Sequence, residues 1–457
     1  MGKLCSAIAS IPFANKTTIN PTMMKILSTS LIEYPPLLAL LGEKSKNNFC
    51  GWLYAFSKSL LEIDSNIELG ILSIAPKLKR WEKYKSGRFT FYRIPSQGLH
   101  KINANEIKMA KEILIDFTPD IIQLNGTEYS LGLEIIEANI NKIPIIATIQ
   151  GLSFVYERYN QGYIPIWEFY KNITFRDFIK MDGQLHKNKI MHKRGVIEKE
   201  TIKRINYITG RTTWDKDHVK TINPNIQYFL CNENLRNSFY ISRKWDYDNC
   251  TQYSIFCSNG STPLKGVHFL IKALHIVLKT YPNATLRIIG PNILKKDIST
   301  IIRMTSYHKY LKKLIQKLQV ENNIKFLGFL SEQEMITEYL NANVYVLPSC
   351  IENSPNSLCE AQILGVPCIS SICGGTADFI NNNIDGLLYR CEEYEQLAQK
   401  IINIFNSGDK ISNIGKNAIS KATIRHDRNN NAKELLKIFS DIISNQNTNS
   451  NEKSTSM

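Results

Sequence analysis

The chain has 457 residues, 43% of them hydrophobic and 21% charged, with 23 glycines and 16 prolines. That excludes a disordered, collagen-like or coiled-coil polypeptide and leaves room for about two or three globular domains. Lysine and arginine number 56 against 41 acidic residues, a surplus of 15 that favours anionic partners: nucleic acid, a membrane surface or phosphorylated substrates. The ten cysteines form no Cys-x-x-Cys pair, so a zinc ribbon or thioredoxin site has no support. Several sit in apolar runs such as Ile255-Phe256-Cys257, as small hydrophobes in a reducing compartment. No apolar run reaches the ~18 residues of a transmembrane helix.

Residues 1–22 read as a dispensable lead-in, although Met1-Gly2-Lys3-Leu4-Cys5-Ser6 formally matches a myristoylation pattern. The first half then opens with a strand at Lys25–Ile32, the loop Asn47–Gly51 and a helix Trp52–Leu61. Strands at Ile67–Ile74 and Phe89–Ile94 follow, then a helix Ala104–Asp116, a strand Asp120–Leu124, a helix Tyr129–Ile140 and a strand Pro144–Thr148. Short apolar runs alternating with longer helices indicate parallel strands covered on both faces. The segment Tyr156–Arg204 interrupts this pattern with aromatic residues set among lysines and arginines. It reads either as helices with aromatics in the core, or as a grip for a membrane interface or a lipid-linked diphosphate.

The second half repeats the alternation. Its strands fall at Tyr253–Cys257, Ala284–Ile289, Ile324–Leu327, Val344–Leu347, Pro367–Ser370 and Gly386–Tyr389. Helices lie between them at Gly266–Thr280, Ser299–Leu318, Glu332–Leu340, Ser357–Leu364 and Glu393–Phe405. The polar stretch Arg243–Thr251 is the expected linker, and the Asn-rich tail after Ser444 is expected to be disordered. The expected fold class is α/β: two Rossmann-like, doubly wound domains, 23–245 and 246–430, followed by a C-terminal helix and tail, 431–457. Two such sheets facing each other make a cleft at the carboxyl ends of their strands, where ligands bind.

The most informative stretch runs from Val344 to Pro367. A buried strand ends at Leu347, a loop carries Glu352, and a helix opens near Asn356, the expected N-cap, with Glu360 on its first turn. The free N–H groups of Ser357 and its neighbours, with the positive end of the helix dipole, form a site for a diphosphate. Carboxylates placed like Glu352 and Glu360 can accept hydrogen bonds from hydroxyl groups on either side of it.

Glu352-x7-Glu360, with Leu364-Gly365-Val366-Pro367 and Cys373-Gly374-Gly375-Thr376-Ala377-Asp378 behind it, resembles the donor-binding signature of retaining GT-B glycosyltransferases of the glycogen-synthase-like, family-four (group 1) type. Pro263-Leu264-Lys265-Gly266 and Phe326-Leu327-Gly328-Phe329-Leu330 match other pieces of that pattern. The resemblance covers most of residues 253–405, and the first half fits the family's acceptor domain more loosely. It implies that Glu352 takes donor-sugar hydroxyls, Glu360 takes ribose hydroxyls, and Lys265 neutralises the leaving nucleotide diphosphate. A preplaced ammonium with helix N–H donors stabilises the charge that builds on the leaving oxygen.

The chain also departs from the family pattern. Gly260 stands where the family has an arginine, five residues before the lysine, and Gln150 stands where the first domain has a histidine. The glycine pair after the first strand is Cys50-Gly51, leaving Gly51 for close approach to the phosphates. Replacement cations are sought in Arg211, of Thr209-Gly210-Arg211-Thr212, and in Glu233-Asn234-Leu235-Arg236. Asp246-Tyr247-Asp248 resembles a metal-binding Asp-x-Asp but falls in the expected linker and reads as solvated charge, while His186, His192 and His218 lack metal-ligand spacing.

The sequence therefore points to a glycosyltransferase that moves a sugar from a nucleotide diphosphate sugar to a carbohydrate or lipid-linked acceptor, with retention of configuration, in cell-surface polysaccharide or glycolipid synthesis. No cofactor or metal is expected beyond the nucleotide sugar, and no nucleic acid. The location is cytoplasmic, with charge that allows peripheral contact at the inner face of the membrane. The alternative is a catalytically degenerate GT-B relative that binds nucleotide sugar or a partner without transfer.

Overall fold

The computed structural model describes residues 23–43, 51–95 and 102–455. The lead-in 1–22 and the Asn47–Cys50 loop lie outside the described residues. Strands β1 (Met24–Ser30), β2 (Ile67–Ile74), β3 (Glu82–Ser86), β4 (Phe89–Ile94), β5 (Ile121–Asn125), β6 (Ile145–Thr148), β7 (Tyr207–Gly210) and β8 (Gln227–Leu230) form one sheet. Its order is β3-β4-β2-β1-β5-β6-β7-β8, parallel throughout except for the β3–β4 pair. A second sheet contains β9 (Thr251–Cys257), β10 (Thr285–Ile288), β11 (Ile324–Phe326), β12 (Ala342–Leu347), β13 (Cys368–Ile372) and β14 (Leu387–Arg390). All its pairs are parallel, in the order β11-β10-β9-β12-β13-β14. The central strands β1, β5 and β12 are buried almost end to end, as parallel strands covered on both faces must be.

The chain passes between the domains earlier than the polar stretch Arg243–Thr251. Leu235, Phe239 and Trp245 already belong to the second core. Trp245 is pinned there by its indole N–H to Ala342 O and its backbone N–H to Leu364 O, both at 2.7 Å. Polar composition marked the stretch as a linker, but the buried indole decides where it packs. The chain returns through the helix Arg428–Thr455, whose Leu435, Phe439 and Ile442 join the first-domain core. That helix continues past Ser444 to Thr455, because elongating a docked helix adds one hydrogen bond per residue fixed. The two crossings are tied to each other. Tyr240 Oη donates to His426 O at 2.8 Å, and His426 Nδ1 lies 2.8 Å from Glu233 O.

The segment after Tyr156 forms the helices Ile166–Lys171, Phe175–Lys180 and Gln184–Arg204 and reaches across to the second domain. Ile164 and Phe169 enter the second core, Gly162 O lies 2.8 Å from His268 Nε2, and Asp177 Oδ2 accepts the Ser306 N–H at 2.7 Å. Of its aromatics Phe169 is buried, whereas Trp167, Tyr170, Phe175 and Phe178 are exposed, so a core role accounts for only part of the segment. The helix expected over Ser299–Leu318 is two, Ile298–Arg303 and Ser306–Leu318. They are separated because the Thr305 side chain caps the second one.

Candidate active site

Residues Pro263–Lys265 make one tight turn that Gly266 ends with φ +65°. A Cβ on Gly266 would fall 1.8 Å from Pro348 O, so only glycine lets the turn sit against the loop after β12. Cys350 N donates to Leu264 O at 2.8 Å and closes that contact. The result is an ion pair: Lys265 Nζ lies 2.5 Å from Glu352 Oε1, which also accepts Ser349 Oγ at 2.7 Å. Gly375 N donates to Glu352 O at 2.9 Å from the opposite side. Lys265 and Glu352 are thus brought together by backbone packing on both flanks.

The helix Asn356–Leu364 begins at the expected cap itself, one residue earlier than expected. Pro355 is the N-cap and Asn356 the first helical residue, because proline's fixed φ suits entry into a helix better than its interior. The Asn356 side chain instead hydrogen-bonds Glu233 of the first domain. The first-turn N–H groups at Asn356 and Ser357 have no intrahelical acceptor. Ser357 Oγ accepts the Tyr345 hydroxyl at 2.9 Å, so it is held at the base of the helix. Glu360 stands on the second turn, not the first, and is only 6% exposed. Arg236 donates to its Oε1 through Nε at 2.9 Å and Nη2 at 2.7 Å. Burial outweighs this cation and pushes the Glu360 carboxyl up to about 7.

The first domain meets this face with Gln150, just after β6, and Arg211, just after β7. Gln150 Nε2 is buried and lacks a hydrogen-bond partner among the described residues, as do Asn353 Nδ2 and Asn356 Oδ1. A buried polar atom without a protein partner takes one from water or a ligand. Arg211 pairs with Glu233, both side chains buried, and burial holds the Glu233 carboxyl above its ordinary range. The charge of Arg211 is thereby matched within the protein. Thr212 Oγ1 donates to Asn353 Oδ1 at 2.8 Å across the domain boundary. The Tyr156 hydroxyl bonds to the Asn353 backbone and lies near Glu352, its proton held tightly by burial. Behind these residues a polar row crosses the strand ends: Asn125 Nδ2 to Ser28 Oγ at 2.8 Å, Gln123 Nε2 to Thr148 Oγ1 at 3.1 Å, Thr209 Oγ1 to Thr148 Oγ1 at 2.9 Å.

Two glycines singled out in the sequence have other settings. A Cβ on Gly260 would fall 2.6 Å from Ile288 Cγ2, so the side-chain direction there leads into the sheet, and packing accounts for the glycine. Gly51 is the first residue of the helix Gly51–Ile63. Asp246 accepts Asn249 Nδ2 at 2.5 Å and caps a short turn. The reading of single motifs missed Thr212, Asn353 and Tyr156, which act across the domain boundary and carry no local signal. Arg236 was sought as a diphosphate cation and instead engages Glu360.

Residues 248–421 match the family described as Glycosyl transferases group 1. The chain is 29% identical over 178 residues to the N,N'-diacetylbacillosaminyl-diphospho-undecaprenol alpha-1,3-N-acetylgalactosaminyltransferase of Campylobacter jejuni, covering 34% of this chain and 47% of that enzyme. The chain thus spans less than half the length of the curated relatives it matches. The whole fold superposes on sucrose-phosphate synthase from Thermosynechococcus elongatus with a TM-score of 0.66 at 15% identity, covering 92% of this chain and 99% of that one. Anabaena HepE, solved with UDP and glucose, gives 0.60 at 15% identity, covering 92% of this chain and 100% of that one. The architecture is GT-B.

Proposed function

We propose that the protein is a retaining glycosyltransferase that moves a sugar from a nucleotide diphosphate sugar to a carbohydrate or lipid-linked acceptor. The observation that carries the reading is the Lys265–Glu352 ion pair, 2.5 Å long, set before the open N-terminus of the helix Asn356–Leu364. In this reading the diphosphate lies against that N-terminus and Lys265. The ammonium and the helix N–H groups stabilise the charge on the leaving oxygen, and no metal ion is required. Glu352 accepts hydroxyl hydrogen bonds from the donor sugar, and Glu360, oriented by Arg236, accepts them from the ribose. Gln150 Nε2 and Asn353 Nδ2, both buried without partners, donate to the sugar or to the incoming acceptor, and the first domain holds that acceptor.

The relative from Campylobacter jejuni is named for a diphospho-undecaprenol substrate, which supports a lipid-linked acceptor in cell-surface polysaccharide or glycolipid synthesis. Among the described residues no helix is long and apolar enough to cross a membrane, and the eight described cysteines are free and buried. Both are compatible with a cytoplasmic enzyme at the inner face of the membrane. The test is nucleotide release from a panel of nucleotide sugars by the wild type, Lys265→Ala and Glu360→Ala. Release from one donor, lost in both variants, establishes the donor site. Nucleotide-induced thermal stabilisation with no release from any donor, acceptors included, would instead support the non-transferring relative.

A further inference from the structure

The segment that interrupts the first domain leaves a large apolar surface uncovered. Trp167 and Tyr170 of the helix Ile166–Lys171 are 55% and 53% exposed, and Phe175 and Phe178 of the next helix 73% and 78%. Met181 follows at 76%. The helix Ile298–Arg303 of the second domain packs beside them and adds Ile298, Ile301 and Ile302, at 75%, 56% and 58%. A groove of about 620 Å³ runs between the two short first-domain helices and the start of the helix Gln184–Arg204, lined by Ile166, Phe169, Phe178 and Leu185. Exposed patches of this kind on a folded protein mark an interaction surface.

The rim of the patch is cationic. Lys171, Lys180 and Lys189 are exposed on one side and Lys295, Lys296 and Arg303 on the other. Of the nearby acids, Asp177 and Asp182 are engaged by Arg176, Glu168 pairs with Lys171, and Asp297 caps the helix Ile298–Arg303. Aromatic and aliphatic tips standing proud of short helices, ringed by lysine and arginine, match a bilayer interface with anionic headgroups. The tips enter the acyl boundary while the cations stay at headgroup level. We infer that this surface docks the protein on an anionic lipid bilayer. The same segment runs back to the cleft, where Gly162 lies against Pro263, two residues from Lys265. A lipid-linked acceptor lying in that bilayer would therefore meet the protein beside its donor-binding turn. The inference deepens the proposed function and takes its purpose from that reading, but its geometry does not depend on it.

The test is flotation of the full chain with vesicles of phosphatidylcholine alone and of phosphatidylcholine with phosphatidylglycerol. The expected result is flotation with the anionic vesicles only, weakened by salt. Phe178→Asp and Ile301→Asp should each lower partitioning roughly tenfold. Both positions are exposed, so thermal unfolding and nucleotide release should not change. No flotation with anionic vesicles, or Phe178→Asp floating as the wild type does, overturns the inference. So does a wild-type dimer that Phe178→Asp makes monomeric with neither protein floating, since the patch would then join two copies. Flotation by a protein that releases nucleotide from no nucleotide sugar, acceptors included, upholds the docking surface and refutes the transferase reading, so the two fail separately.

Discussion

Arg236 grips one oxygen of Glu360 twice, through Nε at 2.9 Å and Nη2 at 2.7 Å, across 124 residues of chain. Burial nonetheless raises the Glu360 carboxyl to about 7. A group raised in the folded state contributes stability below its unfolded value, near 4.5, and loses it as pH rises through about 7. Ribose hydroxyls need the ionised form as acceptor, so donor binding should run the opposite way. Below about 7 the donor KM should rise, approaching roughly tenfold per pH unit, while Glu360→Gln should bind weakly at every pH. Initial rates across pH 5 to pH 9, estimated as roughly spanning the titration, check this for both proteins.

In the proposed function Lys265 acts on the leaving diphosphate, and Glu352 also accepts from Ser349. Lys265→Ala should lower kcat by roughly a hundredfold or more, and because Glu352 is buried, losing its cation should lower Tm as well. Single-turnover nucleotide release separates the effect on kcat from weaker donor binding.

Gly266 holds Lys265 in place. At φ +65°, with Pro348 O where a Cβ would go, Gly266→Ala has to move one of two loops, which should cost about 3 kcal/mol or more. Chemical denaturation should report that loss, and turnover should fall with it because the lysine turn is displaced.

Arg211 and Glu233 form a buried pair, so removing one partner strands the other. Arg211→Ala should destabilise the protein by about 3 to 5 kcal/mol, and the double variant Arg211→Met, Glu233→Leu should recover most of that loss. Nucleotide release by the double variant then decides the role of the arginine. Retained release, which the internal pairing leads us to expect, makes Arg211 a structural residue.

A second stability effect lies away from the cleft. Glu134 is buried beside Glu106, accepts the Asn103 N–H at 3.0 Å, and is pushed up to about 8. Its folded value lies above its unfolded one, so it contributes stability below about 4.5 that disappears as pH rises through about 8. Glu134→Gln, which has no proton to lose, should flatten the fall of Tm over that window.

Legibility in the sequence followed burial. Strands β2 and β4 coincide with their expected ranges because continuous apolar runs need no context. Strand β3, Glu82-Lys-Tyr-Lys-Ser86, escaped because an exposed antiparallel edge strand carries polar residues and no apolar run. The 21-residue helix Gln184–Arg204 escaped for a related reason: its charge is spread around the axis and leaves no apolar stripe. Glu352 and Glu360 stood out by their local spacing, and Lys265 by its resemblance to the family's Lys-Gly pair. The Arg236–Glu360 and Thr212–Asn353 pairings did not, since long-range contacts leave no periodic trace in a single chain.

The two crossings between the domains are hydrogen-bonded to each other at Tyr240–His426 and His426–Glu233. They act as one doubled axis and not as two independent tethers. Sliding or twisting of one domain past the other would break this pairing, whereas rotation about the axis would preserve it. Rotation needs to release only the contacts on the far side of the axis, such as Thr212–Asn353 and Asp177–Ser306. Of the relative motions open to the domains, rotation about this axis is the one that leaves the two crossings paired.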